Sequence, residues 1–258
     1  MFKSEIIELT PELAAKFLQN NNLNRPVSKA TLTRYENTIR RGEWKLNGEP
    51  IIVFKNNDLG EGQHRCLAVV STGISIQTVI IYGIDENAFE TINTGKNRSS
   101  SDVLAMNNEV NCRILASAAR SYLITKLFGR EIHCITNLQI SECVKDHPHL
   151  RYWSQKYAGN KKSKLFPSSI CGYLAIASEK YGFEKLDVFF DRLCNGTDLT
   201  QGEPAFVLRE RFISQTKVSR ISEAYARAFI IKSINAHLLG KKISFLRFVE
   251  SEPMPKVI

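Results

Sequence analysis

The stretch Gly60-Glu61-Gly62-Gln63-His64-Arg65 gathers two glycines, a carboxylate, an amide, an imidazole and a guanidinium where the pattern marks the start of a helix. Such a start favours anions, because its first N–H groups lack intrahelical partners and the helix dipole is positive there. Glycine lets the backbone approach a phosphate closely, and Arg65 on the first turn could hold two phosphate oxygens at once. Glu61 then needs a role, since a carboxylate beside a phosphate repels it unless it holds Mg2+ or accepts a proton. Glu61 is therefore a candidate metal ligand or general base, and His64 a candidate acid or phosphate-polarising group. The plainer alternative is a tight turn in which Glu61 caps the helix electrostatically while His64 and Arg65 face solvent or a salt bridge.

A second string, Thr94-Gly95-Lys96-Asn97-Arg98-Ser99, carries similar groups but is not a P-loop. Glu90 stands where that motif needs its first glycine, and Asn97 where Ser or Thr must follow Lys96. Thr94, Gly95, Lys96, Arg98 and Ser99 could still form a second phosphate grip, or a solvated loop. His133, Cys134, Cys143, His147 and His149 cluster loosely, without the spacing of a structural zinc site.

The elements that must position these groups can be read from capping residues and periodicity. Thr10-Pro11 opens a helix over 10–20, Pro26 and Ser28 open a second that runs to about Arg41 and stops at Gly42, and 44–53 is strand-like. Asn56-Asn57-Asp58 is turn chemistry, after which Gln63 to about Thr72 is helical and 74–84 is a β-branched strand. Asp85 caps a helix to about Ile92, and a loop over 93–101 leads to another helix at Asp102. Beyond Asn107 the pattern predicts long helices over 111–128, 137–147, 169–181, 184–194, 204–214 and 219–239. It adds a final strand over 244–249 and a mobile loop over 159–164. The fold class is α+β, with a small mixed α/β domain over 1–107 and a mostly helical domain over 108–258.

The string Asn47-Gly48-Glu49-Pro50-Ile51, a hairpin, and Gly62-Gln63-His64-Arg65 opening a helix resemble the ParB/sulfiredoxin-like fold in its phage and mobile-element branch, marked by D-G-Q-H-R. Asn24-Arg25-Pro26 with Ser28, Arg41-Gly42-Glu43-Trp44 and Ile92 to Ser99 add to the resemblance, which covers residues 1 to about 105. It implies a nucleotide-phosphate site, with ATP or CTP as the nucleotide and Gly62, Gln63, His64 and Arg65 as its contacts. Glu61 stands where that branch carries Asp, one methylene longer. Sulfiredoxin activity is not expected, because Gln63 occupies the place of that family's catalytic cysteine and Cys66 lies on the wrong side.

Charge separates the two parts. Of 35 Lys+Arg and 26 Asp+Glu, 12 of each sign precede Ala105, so the net +9 belongs entirely to the C-terminal part. Between His147 and Ser178 lie Arg151, Lys156, Lys161, Lys162 and Lys164 with no acid, a one-signed field that suits a polyanion. Tyr152, Trp153 and Tyr157 lie among them, as base-stacking residues or as the buried face of an amphipathic helix. The longest apolar run falls far short of the roughly 20 residues a bilayer needs. The first residues carry Glu5, Glu8 and Glu12 rather than a basic leader. A cytoplasmic protein without membrane contact is expected, its six cysteines reduced.

Together these readings point to a nucleotide-binding, DNA-associated protein of a phage or mobile element that hydrolyses the nucleotide or is switched by it. A second class is a Mg2+-dependent nuclease or phosphotransferase using Glu61. A third is a DNA-binding module in which the motif only shapes a turn. A homodimer is an arrangement the sequence leaves open.

Overall fold

The first element, a strand β1 (Lys3–Leu9), alternates half-buried and exposed side chains from Ser4 up to the buried Leu9 and runs into Thr10, whose hydroxyl accepts from the Leu13 N–H to start α1 (Pro11–Leu18). In the computed structural model, which describes residues 2–22, 24–92, 98–126, 135–216 and 221–258, the chain forms two compact units, 1–97 and 98–258. The fold is α+β: a four-stranded sheet with helices in the first unit and helices in the second.

Helix α2 (Lys29–Arg40) is capped by the Ser28 hydroxyl and ends before Gly42 at φ +68°. Strand β2 (Pro50–Phe54) is shorter than the 44–53 pattern suggests. Asn47 instead accepts from the Glu49 N–H in a side-chain turn and Gly48 takes φ +78°, so 44–49 is irregular. Asn57 at φ +68° turns the chain into β3 (Leu59–Glu61). Helix α3 (Gln63–Thr72) follows at once and Gly73 ends it, as the glycines predict. Strand β4 (Ile76–Ile84) closes a sheet of order β1-β4-β2-β3, in which only β2 and β4 are parallel. Asp85 caps a 3-10 turn, Glu86–Thr91, in place of the expected α-helix. Leu9, Ile51, Val53, Val69 and Ile80 make the core under the helices.

The second unit comprises α4 (Ser100–Met106), α5 (Cys112–Lys126), α6 (Asn137–Asp146), α7 (His149–Gly159), α8 (Ile170–Tyr181), α9 (Glu184–Asn195), α10 (Pro204–Thr216) and α11 (Glu223–Leu238). Helix α4 packs on α5 and α6, so it sits in this unit, whereas a boundary after residue 107 would place it in the first. Helix α8 is buried from Ile170 to Ser178, apolar all round as a central helix must be. Gly172 lets it close on α5, because a Cβ there would overlap Ser121 and the Ala118 carbonyl.

Three readings are corrected here. Trp153 and Tyr157 are buried on α7, so they serve the core rather than a stacking surface. Residues 161–165 form a 3-10 helix capped by the Asn160 side chain rather than a loose loop. Residues 244–249 form no strand: the described sheet lies in the other unit, and Leu246 and Phe248 are buried against the helices instead. No helix among the described residues is long and apolar enough to cross a membrane.

Candidate functional site at the start of helix α3

Gly62 begins α3 at φ +107°, a left-handed conformation that glycine adopts without strain, and no side chain caps the helix. A Cβ there would also lie 2.8 Å from the Ile51 side chain, so backbone and β2 meet at van der Waals range. The amino end of α3 therefore has the uncapped character that an anion site needs.

The three side chains that follow do not point outward as sequence reasoning expects. Arg65 is only 5% exposed. Its Nη2 donates to the Pro50 carbonyl at 2.7 Å, and Nη1 donates to the Glu49 carbonyl, so the guanidinium ties α3 to the entrance of β2. Gln63 donates from Nε2 to the Arg25 carbonyl at 2.9 Å and accepts from the Asn21 amide at 3.3 Å. His64 accepts at Nε2 from the Ser28 N–H at 3.0 Å, which leaves Nδ1 to carry the proton of the neutral ring. Burial is the chief reason its pKa lies below the usual histidine range, the charges of Arg25 and Arg34 add to it, and Glu61 opposes them. A neutral imidazole that already accepts a backbone N–H is not an acid poised at Nε2. Gln63, His64 and Arg65 thus fasten the 21–28 segment and the 49–50 corner to one helical turn.

Three charged groups remain at this end with solvent access. Glu61 is partly exposed and lies 4.0 Å from Arg65. Arg25 and Arg34 are exposed, make no ion pair among the described residues, and both act electrostatically on His64. Sequence reasoning noted Arg25 only within a string and missed Arg34. The available signal was its helical neighbour Tyr35, which buries the α2 face beside α3 and so leaves Arg34 on the adjoining open face. Cys66 is fully buried, which pushes its thiol up to about 12, so it carries no thiolate chemistry.

The second candidate string is divided. Thr94, Gly95 and Lys96 lie outside the described residues. Arg98 is exposed, and Ser99 caps α4 reciprocally with Asp102, its hydroxyl engaged there in the helical unit. The basic residues also separate. Arg151 is held by the Glu109 carboxylate at 2.5 Å and 2.9 Å, and Lys156 by Asp187 and Asp191 at 2.7 Å and 2.9 Å. Lys161, Lys162 and Lys164 are exposed on the 3-10 turn, with no carboxylate partner among the described residues. Likewise no three His, Cys, Asp or Glu side chains gather to hold a metal among the described residues, and His133 and Cys134 lie outside them.

No family model and no curated protein matches the chain. Among solved structures, the C2221 form of a Pnob8-like ParB-N domain is similar over 85% of this chain and 98% of that one, at 15% sequence identity and a TM-score of 0.25. So slight a likeness says nothing about what this chain is or binds.

Proposed function

We propose that the 1–97 unit binds the phosphates of a nucleoside triphosphate, ATP or CTP, at the start of α3, and that the 98–258 unit contacts DNA. The observation that carries the first part is the uncapped, left-handed start at Gly62 with two exposed arginines bearing on it, Arg25 and Arg34, neither in an ion pair among the described residues. In this reading Arg25 and Arg34 grip the phosphates, the α3 N–H groups receive phosphate oxygens, and Arg65 holds the scaffold in place. Glu61 suits Mg2+ bound mostly by phosphate oxygens and water, because such an ion needs one or two protein carboxylates rather than a cage. The ion, when bound, neutralises phosphate charge. Nucleotide hydrolysis, or a nucleotide-switched state of a phage or mobile-element protein, is the activity this site would serve. Lys161, Lys162 and Lys164, without a carboxylate partner among the described residues, are the DNA contacts this reading retains.

The test is a melting curve of the full chain with ATP or CTP, with and without Mg2+. A ligand at a hundredfold excess over Kd adds about 2.7 kcal/mol to the native state. Arg25→Ala with Arg34→Ala should remove the shift without lowering the melting temperature of the free protein. If no nucleotide at millimolar concentration moves the curve, the phosphate site falls. A second reading, a nucleotide-independent module, is favoured by the internal pairing of Gln63, His64 and Arg65. Glu61→Gln assayed on a DNA substrate separates both from a Mg2+-dependent nuclease, since only that enzyme would lose DNA cleavage.

A further inference from the structure

We infer that a cavity of about 680 Å3 in the helical unit is a subsite for one phosphate-bearing nucleotide, free or as the phosphorylated end of a strand. The inference rests on the reading that this unit meets nucleic acid, and it names where one nucleotide is held. The volume lies within the roughly 300–1,000 Å3 of small-ligand sites.

The lining has a polarity that selects among ligands. The partly buried Leu165, Pro167 and Ile221 give the cavity an apolar wall, backed by the buried rings of Phe166 and Phe212 5.1 Å apart, and such a wall suits a base or sugar. Lys164 brings an ammonium without a carboxylate partner among the described residues, and Ser117 and Ser168 bring hydroxyls that donate no hydrogen bond among them. These three donors match a terminal phosphate, which offers three strong acceptor oxygens and nearly two negative charges. Lys161 and Lys162, exposed on the same 3-10 turn, add positive charge beside Lys164. The α11 side carries Ser222 and Glu223. The Glu223 carboxylate repels a second or third phosphate, yet it accepts from a sugar hydroxyl or an exocyclic amino group. The site is therefore specific for a monophosphate, unlike the triphosphate site proposed at α3.

The experiment measures binding of the full chain to a short single strand with either a 5′-phosphate or a 5′-hydroxyl, with dAMP and dATP as competitors. The phosphorylated strand should bind about tenfold more tightly, the scale of one charge-assisted contact set. dAMP should abolish that difference and dATP should not. Lys164→Ala should remove the preference. Ser117→Leu, which fills the cavity, should do the same, and Lys164→Ala keeps the test decisive if that variant fails to fold. Lys161→Ala with Lys162→Ala should weaken both strands equally. Equal binding of the two strands, with no effect of dAMP, overturns the subsite while leaving DNA binding by this unit intact. If neither strand binds but dAMP does so in a Lys164-dependent manner, the subsite holds for the free nucleotide and the DNA reading falls. Binding of neither strands nor dAMP overturns both. A dAMP effect that survives Arg25→Ala with Arg34→Ala separates this site from the one at α3.

Discussion

The two units bury polarity in opposite ways. In the sheet unit, consecutive residues Gln63, His64 and Arg65 are all inside, each spent on a backbone group of a neighbouring loop. In the helical unit the polar side chains buried among the described residues are hydroxyls, such as Ser121, Ser178 and Ser233, while its charged groups pair nearer the surface. Tyr122 and His147 converge on the Glu179 carboxylate at 2.8 Å, and Arg209 donates to the last carbonyls of α9 at 2.8 Å and 2.9 Å. The lesson is that site and scaffold share residues in the first unit and are separate in the second. Changing the buried Arg65 therefore perturbs the fold and the site together, whereas the exposed Arg25 and Arg34, like the surface lysines of the helical unit, can be changed alone.

The sharpest test of that contrast is the pair Trp153→Ala and Arg65→Ala. Trp153 is fully buried among helices, and its truncation should cost about 4 kcal/mol through lost packing and a cavity, read as a lower denaturant midpoint. Arg65→Ala should cost about 3 kcal/mol although it deletes a charged group, because two buried carbonyls lose a charged donor. Arg65→Lys should recover little of this, since one ammonium cannot span both carbonyls. An Arg65→Ala protein as stable as the wild type but unable to bind nucleotide would break the comparison.

A smaller effect concerns pH. His64 and His237 are both depressed chiefly by burial, one in each unit. An unfolded chain binds protons at these rings more readily than the native state does. Their contribution is thus complete above the ordinary histidine pKa of about 6.5 and is lost as pH falls through the lower folded values. His64→Gln should flatten this acid limb in a pH series of melting temperatures, and an unaltered limb would remove His64 from the account.

The least effect on stability and the clearest on binding is expected at the lysines. Neutralising Lys161, Lys162 and Lys164 should change stability by less than about 0.5 kcal/mol. It should reduce the log–log salt slope of DNA binding by about one unit per lost contact. A slope that does not change would assign DNA contact elsewhere.

Much of the sheet unit is legible in its punctuation. Thr10, Ser28, Gly42, Gly62 and Gly73 mark helix ends by local chemistry, and local chemistry is what a sequence displays. The direction of Arg65 was not legible, because its partners Glu49 and Pro50 are backbone carbonyls far along the chain, and a carbonyl leaves no trace in residue type. For the same reason the basic run around α7 looked uniform. Arg151 finds its carboxylate at Glu109 and Lys156 on α9, remote in sequence, and the lysines of the 3-10 turn have no carboxylate partner among the described residues. The expected strand over 244–249 had the right residue types, but its own unit holds no strand among the described residues for it to pair with.

The bond from the Ser28 N–H to the His64 ring makes one amide proton a gauge of the site. Most amides at the start of a helix exchange with solvent freely, but this one is sheltered only while an imidazole lone pair is there to receive it. Protonating the ring removes the lone pair, so the protection of the Ser28 amide, its exchange rate set against that of a free peptide at the same pH, should fall on acidification even before the sheet unit melts. Arg25 lies three residues upstream, held by Gln63 through its own carbonyl. A phosphate seated against Arg25 would therefore slow the same exchange, giving a readout of occupancy that needs neither turnover nor a shift in melting temperature.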